Sequence, residues 1–282
     1  RTELVGRRDE LAGLLDRVER ARTEPTCPDR SVPLRGEAGV GKSRLLTELL
    51  DRVDAGGGLH HLLHCSMHQS TSSLHPIRGA IERNAGILSE DPAEVRLDKL
   101  VRLVEQLELE PDEIVPHLAL TLSIEVAGRY DTIELDASQL KEAQLTAVDA
   151  VIRRLTAMST PYVLAVEDVQ WADPMTAELL ERLVVAGPPR GLVLVLTSRP
   201  TPAWPAAGLP VEVLDVRPLP AADVRRLAVA AAGGPLAEDV LDQVEERSDG
   251  VPFYVTQLVE TLADRGDDTA TGDIPVSLMG LL

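Results

Sequence analysis

Residues 36–43 read Gly-Glu-Ala-Gly-Val-Gly-Lys-Ser and match the spacing G-x-x-x-x-G-K-[ST] at every defined position. The chemistry open to such a stretch is the holding of phosphate. Glycines let consecutive backbone N–H groups turn inward around an anion, and a helix starting near Lys42 aims its positive end at the same point. Lys42 has the reach to touch the β- and γ-phosphates of a nucleoside triphosphate, and the Ser43 hydroxyl can ligate magnesium. The candidate binding residues are Gly36, Glu37, Ala38, Gly39, Val40, Gly41, Lys42, Ser43 and the adjoining Arg44. The bland alternative is a glycine-rich turn that merely caps a helix.

A second stretch supplies what the first lacks. Tyr162–Val166 is apolar and runs into Glu167 and Asp168, the form of a Walker B element. A carboxylate at the end of such a strand can hold magnesium through water, and its neighbour can orient or deprotonate an attacking water. Successive side chains leave a strand on opposite sides, so one of the two acids faces the metal directly. The preferred assignment puts Glu167 near magnesium and Asp168 beside the water, with the reverse left open. Leu192–Leu196 ends in Thr197-Ser198-Arg199. At the carboxyl end of a strand in an open α/β sheet, Arg199 either contacts a γ-phosphate or is a surface arginine opening the Arg199-Pro200 loop. The catalytic candidates are thus Lys42, Glu167, Asp168 and Arg199, and the metal candidates Ser43, Glu167 and Asp168.

Two further groups invite chemistry and are better explained by structure. Asp173-Pro174 fits a helix N-cap followed by proline at the first helical position. Five of the six histidines lie between His60 and His75, but a strand running into a loop disperses their rings, so no metal site is expected there.

These residues need a scaffold that brings strand ends together. Apolar spacing predicts a helix within residues 2–22, a strand over Ser31–Arg35 interrupted by Pro33, a helix after the glycine loop, and a strand over Leu59–Cys65. Helices follow over Pro76–Asn84, Ala93–Leu107, Asp112–Ser123 and Asp136–Met158, the last with Asp136 and Gln139 spaced as a capping box. The two apolar strands flank a helix over Pro174–Val185, and Val211–Val216 is a candidate last strand. Short apolar strands alternating with helices describe a parallel sheet covered on both faces. Three helical patterns, Ala221–Ala232, Leu236–Arg247 and Pro252–Asp264, then follow with no strand between them, and a polar tail runs from Arg265 to Ile274. We expect a sheet domain over residues 1–215, with a helical insertion at about 76–158, and a helical lid domain over 216–282.

Composition narrows the classes. A net charge of -18 repels nucleic acid, whose binding depends on neutralising phosphates with Lys and Arg. No apolar stretch is long enough to cross a bilayer and no signal peptide opens the chain, so the expected location is cytoplasmic. Cys27 and Cys65 stand in no metal-ligand spacing.

Taken together, the motifs resemble those of the signal-transduction ATPases with numerous domains, as found in bacterial class III adenylate cyclase-like proteins and large LuxR-type regulators. The resemblance rests on Leu4-Val5-Gly6-Arg7, the glycine loop, Cys65-Ser66 with His68-Gln69 and Leu74-His75-Pro76-Ile77, residues 167–173, Thr197-Ser198-Arg199-Pro200 and Asp249-Gly250-Val251-Pro252-Phe253. It implies an α/β P-loop NTPase core of three layers, AAA-like, with a five-stranded parallel sheet in which the Arg199 strand lies between the P-loop and Walker B strands. It also implies that Val5 and Arg7 lie near the adenine, that Pro252 closes over the base, and that Arg199 senses the γ-phosphate. ATP or ADP with Mg2+ is the implied ligand. Relatives often carry His where Gln170 stands, and they continue into a winged helix, repeats and an effector domain, so this chain reads as part of a longer polypeptide. The expected partners are the effector and sensor domains of that polypeptide, with nucleotide-dependent self-association as a further option. The leading expectation is a slow ATP-hydrolysing switch; the alternatives are a ring-forming ATP-driven machine and a non-hydrolysing scaffold with ADP retained.

Overall fold

Apolar runs without polar interruption suit strands that are covered on both faces. The computed structural model describes residues 3–24, 29–126, 128–130, 135–201 and 211–264. Within these, the strands are β1 (Ser31–Arg35), β2 (Leu59–His64), β3 (Tyr162–Glu167), β4 (Leu192–Ser198) and β5 (Leu214–Asp215). They form one five-stranded sheet in the order β2-β3-β4-β1-β5, parallel throughout. The strand bearing Arg199 at its exit therefore does lie between the glycine-loop strand and the strand ending in Glu167. Both apolar runs are buried at every position.

The helices are α1 (Arg8–Thr23), α2 (Lys42–Ala55), α3 (His75–Ala85), α4 (Ala93–Gln106), α5 (Pro111–Thr121), α6 (Ala137–Met158), α7 (Pro174–Val185), α8 (Ala221–Ala232), α9 (Glu238–Ser248) and α10 (Pro252–Asp264). Strand side chains alternate between the faces of a sheet. Tyr162, Leu164, Val166, Leu192, Leu194 and Leu196 join one core with α3 to α7, in which Leu100, Leu118 and Leu145 are fully buried. The intervening Val163, Ala165, Val193 and Val195 are also buried and point the other way. That second face is where α1 meets β4 and α2 meets β2 and β3. The result is a three-layer α/β unit. Each fully buried Leu of this core contributes roughly 1.5–3 kcal/mol by area removed from water.

Local sequence accounts for several element ends. Asp136 accepts hydrogen bonds from the Ser138 and Gln139 N–H groups while Gln139 reaches back to the Asp136 N–H, the capping box expected for α6. Pro33 is tolerated inside a central strand because the β5 side of the ladder pairs only Leu34 and Arg35. For the same reason β5 is shorter than expected: only Leu214 and Asp215 pair, and Val216 adds one further bond to the Arg35 carbonyl.

The chain divides into two compact units, Arg7–Arg217 and Arg1–Gly6 with Pro218–Leu282. Apolar spacing puts the boundary after residue 215; in the structure Gly6 lies against Leu219 and Asp223. In the second unit α8, α9 and α10 close around Leu219, Val224, Ala228, Leu241, Val244, Val255, Leu258 and Val259. Cys27 and the polar tail from Arg265 lie outside the described residues.

Candidate functional site

Residues 36–41 leave β1 as a loop and enter α2 at Lys42. Gly39 and Gly41 have φ of 76° and 100°, backbone that residues with a Cβ adopt only under strain. Gly36 is needed for a different reason: a Cβ there would lie 2.6 Å from the Val216 carbonyl oxygen. Its N–H donates to the Ser198 carbonyl at 3.2 Å, which ties the loop's first residue to the end of β4. Glu37, Ala38 and Gly39 are exposed, Val40 is buried, Ser43 is exposed on the first turn of α2, and the half-buried Arg44 pairs with Glu48 at 3.1 Å.

Lys42 is buried at 8% exposure. Its ammonium donates to the Gly36 and Glu37 carbonyls at 2.7 and 2.9 Å. Burial pushes its pKa down, Asp168 pulls it back up, the Arg199 charge pushes it down again, and Glu37 and Glu167 raise it. Charges at the ends of β3 and β4 therefore act on this ammonium at the carboxyl end of the sheet.

The two acids are held differently. Glu167 is buried; its Oε2 lies 3.0 Å from His64 Nδ1. Its Oε1 is buried with no hydrogen-bond partner, a state that costs about 1–3 kcal/mol or more for a charged group unless something binds there. Asp168 is exposed and takes a left-handed backbone, φ 55°. Its N–H donates to Thr197 Oγ1 at 3.0 Å, and its Oδ1 accepts from Gln170 Nε2 at 3.0 Å. The exposed Arg199 donates its backbone N–H to Gln170 Oε1 at 3.3 Å.

Arg7 is buried, and one guanidinium nitrogen donates to the Val40 carbonyl at 3.0 Å and to the Arg217 carbonyl at 2.5 Å, while the other pairs with Glu10 at 3.0 Å. It thus braces the glycine loop. Val5 and Pro252 belong to the helical unit, where Pro252 opens α10.

Asp173 is the N-cap of α7, and it does more than the sequence suggested. Its Oδ1 accepts from the Met175 and Thr176 N–H groups at 3.1 Å and also from the Leu74 N–H at 3.0 Å, and its Oδ2 accepts from the Thr176 hydroxyl at 2.6 Å. Leu74 itself is left-handed at φ 54°, so the cap pins the turn that starts α3. The histidines disperse as expected: His60 pairs with Asp54, His61 lies against Asn84 and the Tyr162 hydroxyl, and His64 meets Glu167. Among the described residues no group of three or more His, Cys, Asp or Glu side chains could hold a metal. Sequence reasoning missed His64, Gln170 and Thr197 as neighbours of the acids. The signal for His64 was its register position opposite Glu167 across parallel β2 and β3; for Thr197 it was the exit of the adjacent strand.

The model of the AAA ATPase domain matches residues 3–196, which includes the glycine loop, both acids and the first five residues of β4. The chain belongs to the AAA ATPase domain family. An uncharacterized protein of Rhizobium meliloti (strain 1021) is 32% identical over 246 residues, covering 81% of this chain and 22% of its own length. Among solved structures, a signal transduction ATPase with numerous domains and a tetratricopeptide repeat sensor, from Pyrococcus horikoshii, is similar at TM-score 0.48 and 13% identity, over 99% of this chain and 32% of that one. Cdc6p from Pyrobaculum aerophilum is similar at TM-score 0.49 and 13% identity, over 94% of this chain and 64% of that one. This AAA ATPase domain thus spans about a fifth of the length of the curated relative. None of its described helices is long and apolar enough to cross a membrane.

Proposed function

We propose that this AAA ATPase domain binds ATP with magnesium, cleaves it slowly, and serves as the switch of a larger regulator of the signal-transduction type. The observation that carries the reading is the buried Lys42 ammonium on a glycine loop, bonded to the Gly36 and Glu37 carbonyls, with the charges of Asp168, Arg199 and Glu167 acting on it. Backbone N–H groups of the loop beyond Gly36, whose own N–H is held by the Ser198 carbonyl, cradle the phosphates, and Lys42, now bonded to two loop carbonyls, provides the donor for the β- and γ-phosphates. Ser43 and Glu167 fit magnesium, since Glu167 Oε1 is a buried oxygen without a partner; the ion would neutralise phosphate charge there. Asp168, exposed and oriented by Gln170, holds and orients the attacking water. Arg199 reads the γ-phosphate. Arg7 acts on the nucleotide through its brace on the Val40 carbonyl.

A ligand shifts a conformational balance only by its differential affinity for the two states, so γ-phosphate contacts must favour one disposition of the helical lid. The partners that would read it are effector and sensor domains of the same polypeptide, of the LuxR or cyclase-like kind, with self-association as a second output. The test is a turnover assay combined with nucleotide extraction from the purified protein. Slow turnover with exchangeable nucleotide supports the switch. Rapid turnover that rises with protein concentration supports a ring machine, and retained ADP with no turnover supports a scaffold.

A further inference from the structure

The ends of β3 and β4 are joined by more than the sheet. Asp168 donates its N–H to the Thr197 hydroxyl, and Arg199, one residue past the end of β4, donates its N–H to the side chain of Gln170. The same Gln170 carboxamide donates to Asp168 Oδ1. The amide has a single orientation that satisfies both contacts, because a carboxylate can only accept and a backbone N–H can only donate. One side chain, half-buried in the short 3-10 turn Val169–Trp171, therefore fixes the acid after β3 relative to the arginine after β4. It occupies one oxygen of Asp168, Oδ1.

We propose that Gln170 is a positioning residue that couples the water-orienting acid Asp168 to the γ-phosphate reader Arg199, so that hydrolysis and nucleotide discrimination depend on one carboxamide. The proposal rests on the nucleotide-switch reading given above. Its physical content is that a carboxylate on an exposed strand end samples several rotamers unless a neighbour holds it, and misplacement of a catalytic group by about 1 Å costs about a hundredfold in rate. Leu at position 170 keeps the bulk and removes both bonds. His carries one ring donor and one ring acceptor and can keep both, and Glu keeps the acceptor while setting a like charge against Asp168.

The experiment compares the full chain with Gln170→Leu, Gln170→His, Gln170→Glu and Arg199→Ala, measuring ADP and non-hydrolysable ATP analogue affinities with magnesium, and steady-state turnover. Gln170→Leu and Gln170→Glu should lower kcat by about tenfold or more and reduce the preference for the analogue over ADP, as Arg199→Ala does, with ADP affinity within about twofold of the parent. Gln170→His should restore both to within about threefold. If Gln170→Leu keeps parental kcat and preference while Arg199→Ala loses the preference, the coupling is wrong and the nucleotide reading stands. Parallel loss of ADP affinity in Gln170→Leu would make the residue a structural support and also overturn the proposal. If the parent binds neither nucleotide, the underlying reading fails and the proposal goes with it. Should the parent bind but not turn over, the analogue preference alone decides between these outcomes.

Discussion

Replacing Asp173 separates structure from chemistry at the end of the acidic stretch. The side chain is 2% exposed and accepts from three backbone N–H groups and one hydroxyl. Asp173→Ala removes an N-cap, worth about 1 kcal/mol, and strands the Leu74 N–H in a buried setting, worth about 1–3 kcal/mol. The expected total is a loss of about 3 kcal/mol, read as a lower urea midpoint of tryptophan fluorescence at constant slope. Asp173→Asn is a sharper probe. All three backbone donors point at Oδ1, which Asn retains, and its amide can donate to the Thr176 hydroxyl in place of the bond that Oδ2 accepts. The expected cost is about 1 kcal/mol or less, with nucleotide affinity and turnover within about threefold of the parent. If Asp173→Asn abolished turnover at an unchanged urea midpoint, Asp173 would be a chemical acid and the capping argument would be refuted.

Three other outcomes follow from the site. Asp168→Asn should keep ATP bound while slowing its cleavage, whereas Glu167→Gln should mainly weaken magnesium-dependent binding; reversed phenotypes in paired binding and turnover assays would exchange the two roles. Arg199→Ala should leave ADP affinity nearly intact and erase any difference in compactness between the ADP and ATP-analogue forms, measured by small-angle scattering; a difference that survives the substitution would remove Arg199 as the reader. Burial, with Asp173 and Asp168 nearby, raises the Cys65 thiol to about 12, so peptide mapping after iodoacetamide treatment of native protein at pH 8 should find it unmodified and find it alkylated after denaturation. Because the folded value is the higher one, Cys65 adds stability that is complete below the ordinary thiol range and is lost as pH rises towards 12. Rapid native labelling would contradict the burial.

The sheet and its helices were legible because their signals are periodic or continuous. Tyr162–Glu167 and Leu192–Ser198 are buried at each residue, and the glycine spacing dictates loop and helix start together. What sequence could not supply was neighbourhood. Nothing within β2 says that His64 will meet Glu167 until the register with β3 is known, and Gln170 looks like an ordinary loop amide until Asp168 and Arg199 are placed on either side of it. Asp173 was legible as a cap from its Pro174 neighbour, but its bond to Leu74, 99 residues away in sequence, is a tertiary fact. Helix boundaries drifted where capping is weak: α9 starts at Glu238, not Leu236, with Ala237 at its N-cap and no side-chain cap bond. Pro33 and Arg35 weaken the reading of β1 because they interrupt its apolar run, yet the strand forms, with β5 reaching only Leu34 and Arg35.

Whether the loop from Gly36 to Ser43 holds a nucleotide is decided by titration calorimetry of ATP with magnesium into the parent and Lys42→Ala. Hydrogen bonds to charged partners contribute about 1.5–3 kcal/mol each, or about ten- to hundredfold and more in affinity. We predict saturable binding by the parent and its loss by at least that factor in Lys42→Ala, with an unchanged circular dichroism spectrum. Equal affinity of the two proteins for ATP would contradict the account.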